Sequence, residues 1–429
     1  MRSLGELTRR VRSGDAQTAF FDQTTPSDPD IETARMVSVL SSFASEFGED
    51  RNAFMLSAPG RTELAGNHTD HNRGRVLAGS CSLDIIGVVS PRTDRTVRIR
   101  SAGFEGLIVV DGKELSSRPD EQGTPAALVR GVSAFFSDQG FKIGGFDAVM
   151  ESRVLPGSGL SSSAAFEVFT GSALNTLFND STLKALDIAQ AGQYAENHFF
   201  GKPCGLMDQI ACAHGGVVAI DFGERVPDIT GVNIDFAEAG YTLFVIDTGG
   251  NHADLTSEYA AVPEEMRLVA KALGHEVLGE GSHDAFFEAL PELRATCSDR
   301  ALLRAMHFYQ DNERVEDMVV ALREGRVDDY LKLVNESGIS SSMLLQNYFS
   351  TGNPGVQGIS LACATATEYL NHHDLPGAVR VHGGGFAGTI QAYVPNAHAE
   401  PFRAIMEQVF GEGSVIALRI RSVGPVAFS

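Results

Sequence analysis

Three glycine-rich segments, each set beside a β-like run, constrain this chain more than any other feature. They are APGRTELAGNHTDHNRG at residues 58–74, VLPGSGLSSSAAFEV at 154–168 and VHGGGFAGT at 381–389. Residues without a Cβ let backbone approach a ligand or a neighbouring loop closely. The sequence between them is mixed. Residues 31–47 carry Met36, Val39, Leu40 and Phe43 at helical spacing, and residues 54–110 turn to short β runs (AFMLSAPGR, VLAGSCSLDIIGVVSP, TVRIRSAG). Alternation at 146–154 predicts another strand, followed by the second glycine segment and a small-residue helix over 163–178.

A second helix is predicted over 183–199, with strands at 215–222 and 241–247. From about 255 to 370 amphipathic helical patterns dominate, among them EEMRLVAKAL, RALLRAMHFY and YLKLVNE. The chain then returns to β with AVRVH and TIQAYVP, a helix at 397–410 and SVIALRIRS. Strands and helices do not alternate strictly, which favours an α+β fold over a doubly wound parallel sheet. No repeat of 20 to 50 residues is visible. With 429 residues, two or three domains are expected, and a boundary near 225–240. The first 30 residues are polar, with QTTPSDPD near their end, and read as a loosely packed lead-in.

Charge narrows the function classes. Against 34 Lys plus Arg stand 55 Asp plus Glu, a formal net charge of −21 with no basic run, so nucleic acid and anionic membranes are poor partners. The N-terminus has positive charges but no apolar stretch behind them, unlike a signal peptide, and no run is apolar enough to span a bilayer. Cys81, Cys204, Cys212, Cys297 and Cys363 are odd in number and widely spaced, which reads as reduced thiols in a cytoplasmic protein.

The first segment crowds Arg61, Glu63, Asn67, His68, Asp70 and His71 between two predicted strands. A polar hairpin would account for the residue types alone. A metal site from His68, Asp70 and His71 lacks a further ligand at helical spacing. Carboxylate, amide, imidazole and guanidinium together suit a sugar, whose hydroxyls each need a donor and an acceptor. In the second segment a Gly/Ser loop opens a helix, so backbone N–H groups and the helix dipole converge on one spot, a ready anion site. A dinucleotide fingerprint would need glycine where Ser162 stands, and no Gly-Lys-Ser/Thr triplet supplies a P-loop. A turn before a tightly packed helix is the structural alternative; Ser161, Ser162 and Ser163 favour phosphate or Mg2+. The third segment contains G-x-G-x-x-G at Gly383, Gly385 and Gly388, but β-like TIQAYV follows where a dinucleotide fold needs a helix.

In order and spacing the three segments resemble the GHMP small-molecule kinases, and within them the galactokinases. The first is similar to the signature G-R-x-N-L-I-G-E-H-T-D-Y, the second to P-x-G-x-G-L-S-S-S-A and the third to G-G-G-F-G-G. AENHFFGKPCGLMDQIACAHGG at 195–216 and VIDTGGNHADLTSEYAAVPEEM at 245–266 resemble galactokinases specifically. The resemblance implies an N-terminal ribosomal-protein-S5-like α/β domain and a C-terminal ferredoxin-like α+β domain, divided as 1–235 and 236–429, with the active site between them. It implies an ATP- and Mg2+-dependent sugar-1-kinase, with galactose the leading substrate. Asp208 would be the base at the anomeric hydroxyl, and Arg61 would sit between Asp208 and the γ-phosphate. Gly157, Ser158, Gly159, Leu160, Ser161, Ser162 and Ser163 would cradle the phosphates, and Ser163 and Glu196 would ligate Mg2+. Asn67, His68, Asp70, Gly205 and Tyr259 would hold the sugar. A cytoplasmic monomer binding only small molecules is expected.

Two departures bear on the sugar. The family pattern has Glu where this chain has Asn67, and Asn where it has Glu63. An amide donates as well as accepts, so the match to the sugar's C6 end is loosened and a C6 carboxylate, as in galacturonate, becomes admissible. In the third segment Ala387 replaces a glycine, harmless unless the backbone there needs a positive φ.

Overall fold

The computed structural model describes residues 1–14, 17–26, 28–154, 159–250 and 255–429. Among them a nine-stranded sheet is built on two long neighbours, Asn52–Ala65 and Arg75–Pro91, paired antiparallel. Phe146–Ser152 extends it, then Thr96–Ser101 in a parallel pairing and Ile108–Asp111. Val217–Asp221 pairs along the Arg75–Gly79 stretch and carries Asp228–Val232 on its far side. The chain ends join the same sheet: Arg2–Ser3 and Val426–Phe428 both pair with Asn52–Ala65.

The Asn52–Ala65 strand is buried along almost its whole length because both faces are covered. The side-chain period of two sorts its residues. Phe54, Leu56 and Ala58 point to the main core with helices Pro125–Asp138, Ser162–Phe178, Ala185–Ala195 and Met207–His214. Ala53 and Met55 point the other way, into a cluster with Leu4, Leu7, Val11, Phe20, Met36, Val39, Leu40 and Phe43. The expected loose lead-in is therefore corrected. Leu4–Ser13 is a helix capped by Ser3, and its apolar residues at i, i+3 and i+7 close the back of the sheet. Its polar face had masked that stripe.

A second sheet is antiparallel throughout, in the order Ala378–His382, Thr389–Pro395, Tyr241–Asp247, Val415–Leu418. Helices Gly358–His372 and Ala399–Phe410 pack on it. With those helices the strands form the βαββαβ unit of a ferredoxin-like fold. Four further helices, Thr256–Ala272, His283–Leu293, Asp299–Arg323 and Val327–Ser340, are inserted between the unit's first strand and its first helix. Leu243, Val245, Ala378, Tyr393 and Tyr330 belong to the main core, so apolar packing runs without a break from one sheet to the other. No helix among the described residues is long and apolar enough to cross a membrane, and the five cysteines are free thiols.

Candidate active site

Arg61 and Glu63 lie on the Asn52–Ala65 strand itself rather than in the loop that follows it. The strand's register against its neighbour shifts at Pro59/Arg61 and again at Glu63/Ala65. Bulges of this kind re-aim side chains. At Gly60 a Cβ would fall 2.9 Å from the carbonyl oxygen of Leu160, so glycine lets the strand touch the second glycine segment, and Arg61 N–H donates to that same oxygen at 3.1 Å.

Arg61 meets Asp208 two-pronged: Nε donates to Oδ1 at 2.7 Å and Nη2 to Oδ2 at 2.9 Å. Its Nη1 donates to the Gly159 carbonyl, and Ser161 Oγ donates to Asp208 Oδ2. Asp208 stands in the first turn of Met207–His214, where the helix dipole favours a negative charge. Burial works against its ionisation, but the Arg61 charge, hydrogen bonds from Arg61 and Ser161, and the Lys202 charge hold the carboxyl below its ordinary value. Asp208 is thus a carboxylate at any working pH.

Ser161 has a left-handed φ of 58° and, among the described residues, no side-chain cap closes the helix start, so first-turn N–H groups of Ser162–Phe178 can serve an outside acceptor. Gly159 has φ 72°, and a Cβ there would lie 2.3 Å from Thr389 Oγ1, so only glycine fits. Gly157 and Ser158 of the expected phosphate cradle lie outside the described residues.

Glu196 opens a widened turn, Glu196–Phe200, that ends the preceding helix and turns the buried carboxylate toward Ser163. Ser163 Oγ lies 3.1 Å from Glu196 Oε1, Lys202 Nζ donates to the same oxygen at 3.2 Å, and Gln209 Nε2 donates to Oε2 at 3.0 Å. The same Gln209 nitrogen reaches Glu167 Oε2 at 3.0 Å. Burial first, then the Glu196 charge, push the Glu167 carboxyl well above its usual value. A hydroxyl and one carboxylate are hard oxygen donors that suit Mg2+, which keeps waters and substrate phosphates as its other ligands. Among the described residues no cluster of three or more His, Cys, Asp or Glu forms a metal cage.

Of the residues expected to hold a sugar, His68, Tyr259 and Asn67 meet the third glycine segment, whereas Gly205 and Asp70 meet each other. His68, in a left-handed conformation at φ 60°, donates from Nε2 to the Gly384 carbonyl at 2.9 Å. Burial first, then His71, lower its pKa to about 4, so the ring is neutral and Nδ1 is left as an acceptor. Tyr259 OH donates to the Gly385 carbonyl at 2.8 Å, and a Cβ at Gly384 would strike its ring at 2.6 Å. A Cβ at Gly205 would lie 1.8 Å from Asp70 Oδ2. Ala387 does not have a positive φ; the left-handed non-glycine in that turn is Phe386, at 61°.

Asn67 is brought to the same place with its side chain already committed. Its Nδ2 donates to Glu63 Oε1 at 3.1 Å and to the Gly383 carbonyl at 2.6 Å, and its Oδ1 accepts from Asn347 at 2.7 Å. Sequence reasoning passed over Ser161 as a partner of Asp208, Lys202 and Gln209 as partners of Glu196, and Arg380, which pairs with Glu63 at 2.6 Å. Arg380 sits inside AVRVH, which reads as an apolar strand. Gln209 was legible only as the neighbour of Asp208.

A family model described as GHMP kinases N terminal domain matches residues 127–216, and one described as galactokinase galactose-binding signature matches 41–91. A mevalonate kinase structure aligns with a TM-score of 0.61 at 13% identity, over 85% of this chain and 98% of that one. Fold and site together define a kinase of the GHMP class. The structure of Lactococcus lactis galactokinase complexed with galactose aligns with a TM-score of 0.79 at 24% identity, over 91% of this chain and 99% of that one. The galactokinase of Actinobacillus pleuropneumoniae is 32% identical over 81% of this chain and 87% of that protein; that of Lactobacillus helveticus is 29% identical over 82% and 88%. The chain belongs to the galactokinase family.

Proposed function

We propose that the chain transfers the γ-phosphoryl group of ATP to the anomeric C1 hydroxyl of α-D-galactose, giving galactose 1-phosphate and ADP. The observation that carries the reading is Arg61, which grips both oxygens of Asp208 and at the same time the Gly159 carbonyl of the phosphate loop. One guanidinium thereby fixes the base and faces the transferring group.

Phosphoryl transfer asks for positioning and charge stabilisation rather than covalent work by the protein. Asp208 accepts the C1 hydroxyl proton. A carboxylate with a lowered pKa is a weak base, which suits a loose transition state in which the hydroxyl loses its proton late. Arg61 keeps the carboxylate ionised before transfer and stabilises charge on the phosphoryl oxygens during it. First-turn amides after Ser161 hold the phosphates. His68 Nδ1, Asp70 and the edges of Gly205 and Tyr259 orient the sugar. Mg2+ would be held by Ser163 and Glu196, where it neutralises phosphate charge when bound. Ser163→Ala and Glu196→Gln are expected to raise the Mg2+ concentration needed for half-maximal rate with sugar KM unchanged.

We also read residues 1–235 and 236–429 as the two domains, with a cytoplasmic monomer as the working form. In support, the first sheet's strands end at Val232 until the closing Val426–Phe428 strand, and the second sheet begins at Tyr241. A second substrate reading rests on Asn67: its amide is fully used by protein partners, so galacturonate, N-acetylgalactosamine or arabinose is the alternative sugar. ADP release measured across these sugars decides between them. Turnover of another sugar, with none on galactose, overturns the first choice. A non-catalytic sugar sensor is the reading left if none is turned over.

A further inference from the structure

One buried carboxylate, Glu63, has no part in the chemistry above, yet it is 3% exposed and pairs with a fully buried Arg380. Arg380 is itself fixed, donating to the Leu64 carbonyl at 2.9 Å and the Val381 carbonyl at 3.1 Å. From Glu63 a chain of amides runs toward the sugar side. Asn67 Nδ2 donates to Glu63 and its Oδ1 receives Asn347 Nδ2; the other Asn347 N–H goes to the Gly384 carbonyl at 3.1 Å, which also receives His68.

Glu63 Oε1 also receives Arg380 Nη2 and so acts as an acceptor, which dictates which end of the Asn67 amide faces it, and that orientation dictates the next. Asn347 shows that its orientation is imposed: its Oδ1 is buried without a hydrogen-bond partner among the described residues, while both N–H groups are used. An amide free to choose would not leave that acceptor orphaned.

We propose that Glu63, Asn67 and Asn347 act as one directional hydrogen-bond chain, anchored on Arg380, that positions the Gly383–Gly384 carbonyls and thereby His68 for sugar recognition. Glu63 and Asn347 are positioning residues; neither is asked to touch the substrate. The carboxylate and amide that stand exchanged relative to the family pattern are in direct contact, so the exchange is a coupled one: one carboxylate, one amide and one arginine are kept. A carboxylate at both positions would set two negative charges beside a single arginine.

The inference rests on the proposed sugar-kinase reading, and the wild-type control separates the two. A wild type inactive on galactose overturns the choice of galactose, and the variants are then read on the sugar the enzyme does use; if no sugar is turned over, the kinase reading falls and the variants are read on galactose affinity by calorimetry. Asn347→Ala, at the far end of the chain from Arg380, and Glu63→Gln are expected to raise sugar KM roughly ten-fold, as loss of a positioning hydrogen bond would, with ATP KM within about two-fold. Asn67→Glu is expected to be worse than either, and the double variant Glu63→Asn/Asn67→Glu to recover most of the loss. Sugar KM unmoved in Asn347→Ala, parallel rises in sugar and ATP KM that track a falling Tm, or a double variant no better than Asn67→Glu would each overturn the proposal. Should Glu63→Gln fail to fold, Asn347→Ala and the double variant still decide.

Discussion

Asp208→Asn removes the charge from the site while keeping its shape, and the structure says what that costs. Asparagine retains one acceptor for the Arg61 Nε bond now at 2.7 Å. It replaces the oxygen that receives both Arg61 Nη2 and Ser161 Oγ with an N–H2 group. Ser161 can reverse and accept; Arg61 cannot, because a guanidinium only donates. One charge-assisted bond and the neutralisation of Arg61 are therefore lost. Breaking a fully buried pair by removing one partner costs about 3–5 kcal/mol. Here the Asp208 side chain is 33% exposed against 7% for Arg61, so water screens part of the loss and about 1–3 kcal/mol is expected. Loss of the base is worth roughly 10²–10⁴ in rate. The assay is steady-state ADP release with saturating sugar and ATP, paired with calorimetric sugar binding and thermal unfolding. The expected result is kcat reduced at least about 100-fold, sugar affinity within a few-fold of wild type, and a small drop in Tm. A variant keeping more than roughly a tenth of wild-type kcat would refute Asp208 as base.

Gly205→Ala places a methyl 1.8 Å from Asp70 Oδ2, and because Gly205 does not have a positive φ the effect is steric alone. Asp70 must swing aside, so sugar KM should rise roughly ten-fold while ATP KM and Tm stay near wild type; an unchanged sugar KM counts against Asp70 as a sugar contact. Leu7→Ala empties a fully buried position in the N-terminal helix and should cost about 3 kcal/mol in urea unfolding, whereas a loosely packed lead-in would show no change. His68 is neutral in the fold down to about pH 4 but would take a proton near 6.5 in the unfolded chain. Protons therefore favour the unfolded state, and stability falls as pH drops from 6.5 toward 4, by at most about 3 kcal/mol from this group. The pH 7 to 5 loss in urea midpoint should be smaller in His68→Gln than in wild type, and equal losses would contradict a buried neutral ring.

Much of this protein was legible in the chain itself. Alternating and helical periods located most strands and helices, because those patterns are local consequences of which face is buried. The glycine segments announced themselves through residue types that close backbone approach requires, and Asp208, Arg61, Ser163 and Glu196 were named from motifs. What failed to show was cooperative. Arg380 lies in a strand that reads as apolar, and only the folded sheet supplies the Glu63 that makes its burial tolerable. Leu4, Leu7 and Val11 form a stripe too short to stand out in a charged segment until the back of the sheet gives it a partner.

The sequence alone determined the α+β class, which follows from the mixed order of helical and alternating patterns, and its motifs nominated Asp208, Arg61, Ser163 and Glu196 through their resemblance to a known family. Tertiary structure decided their relations. It set Arg61 on both oxygens of Asp208, gave Lys202 and Gln209 to Glu196, and tied Asn67 to Glu63 rather than leaving it free for a sugar. The physical reason is that charge and hydrogen-bond direction belong to pairs, and partners such as Glu63 and Arg380, far apart along the chain, become neighbours only when the two sheets share one core.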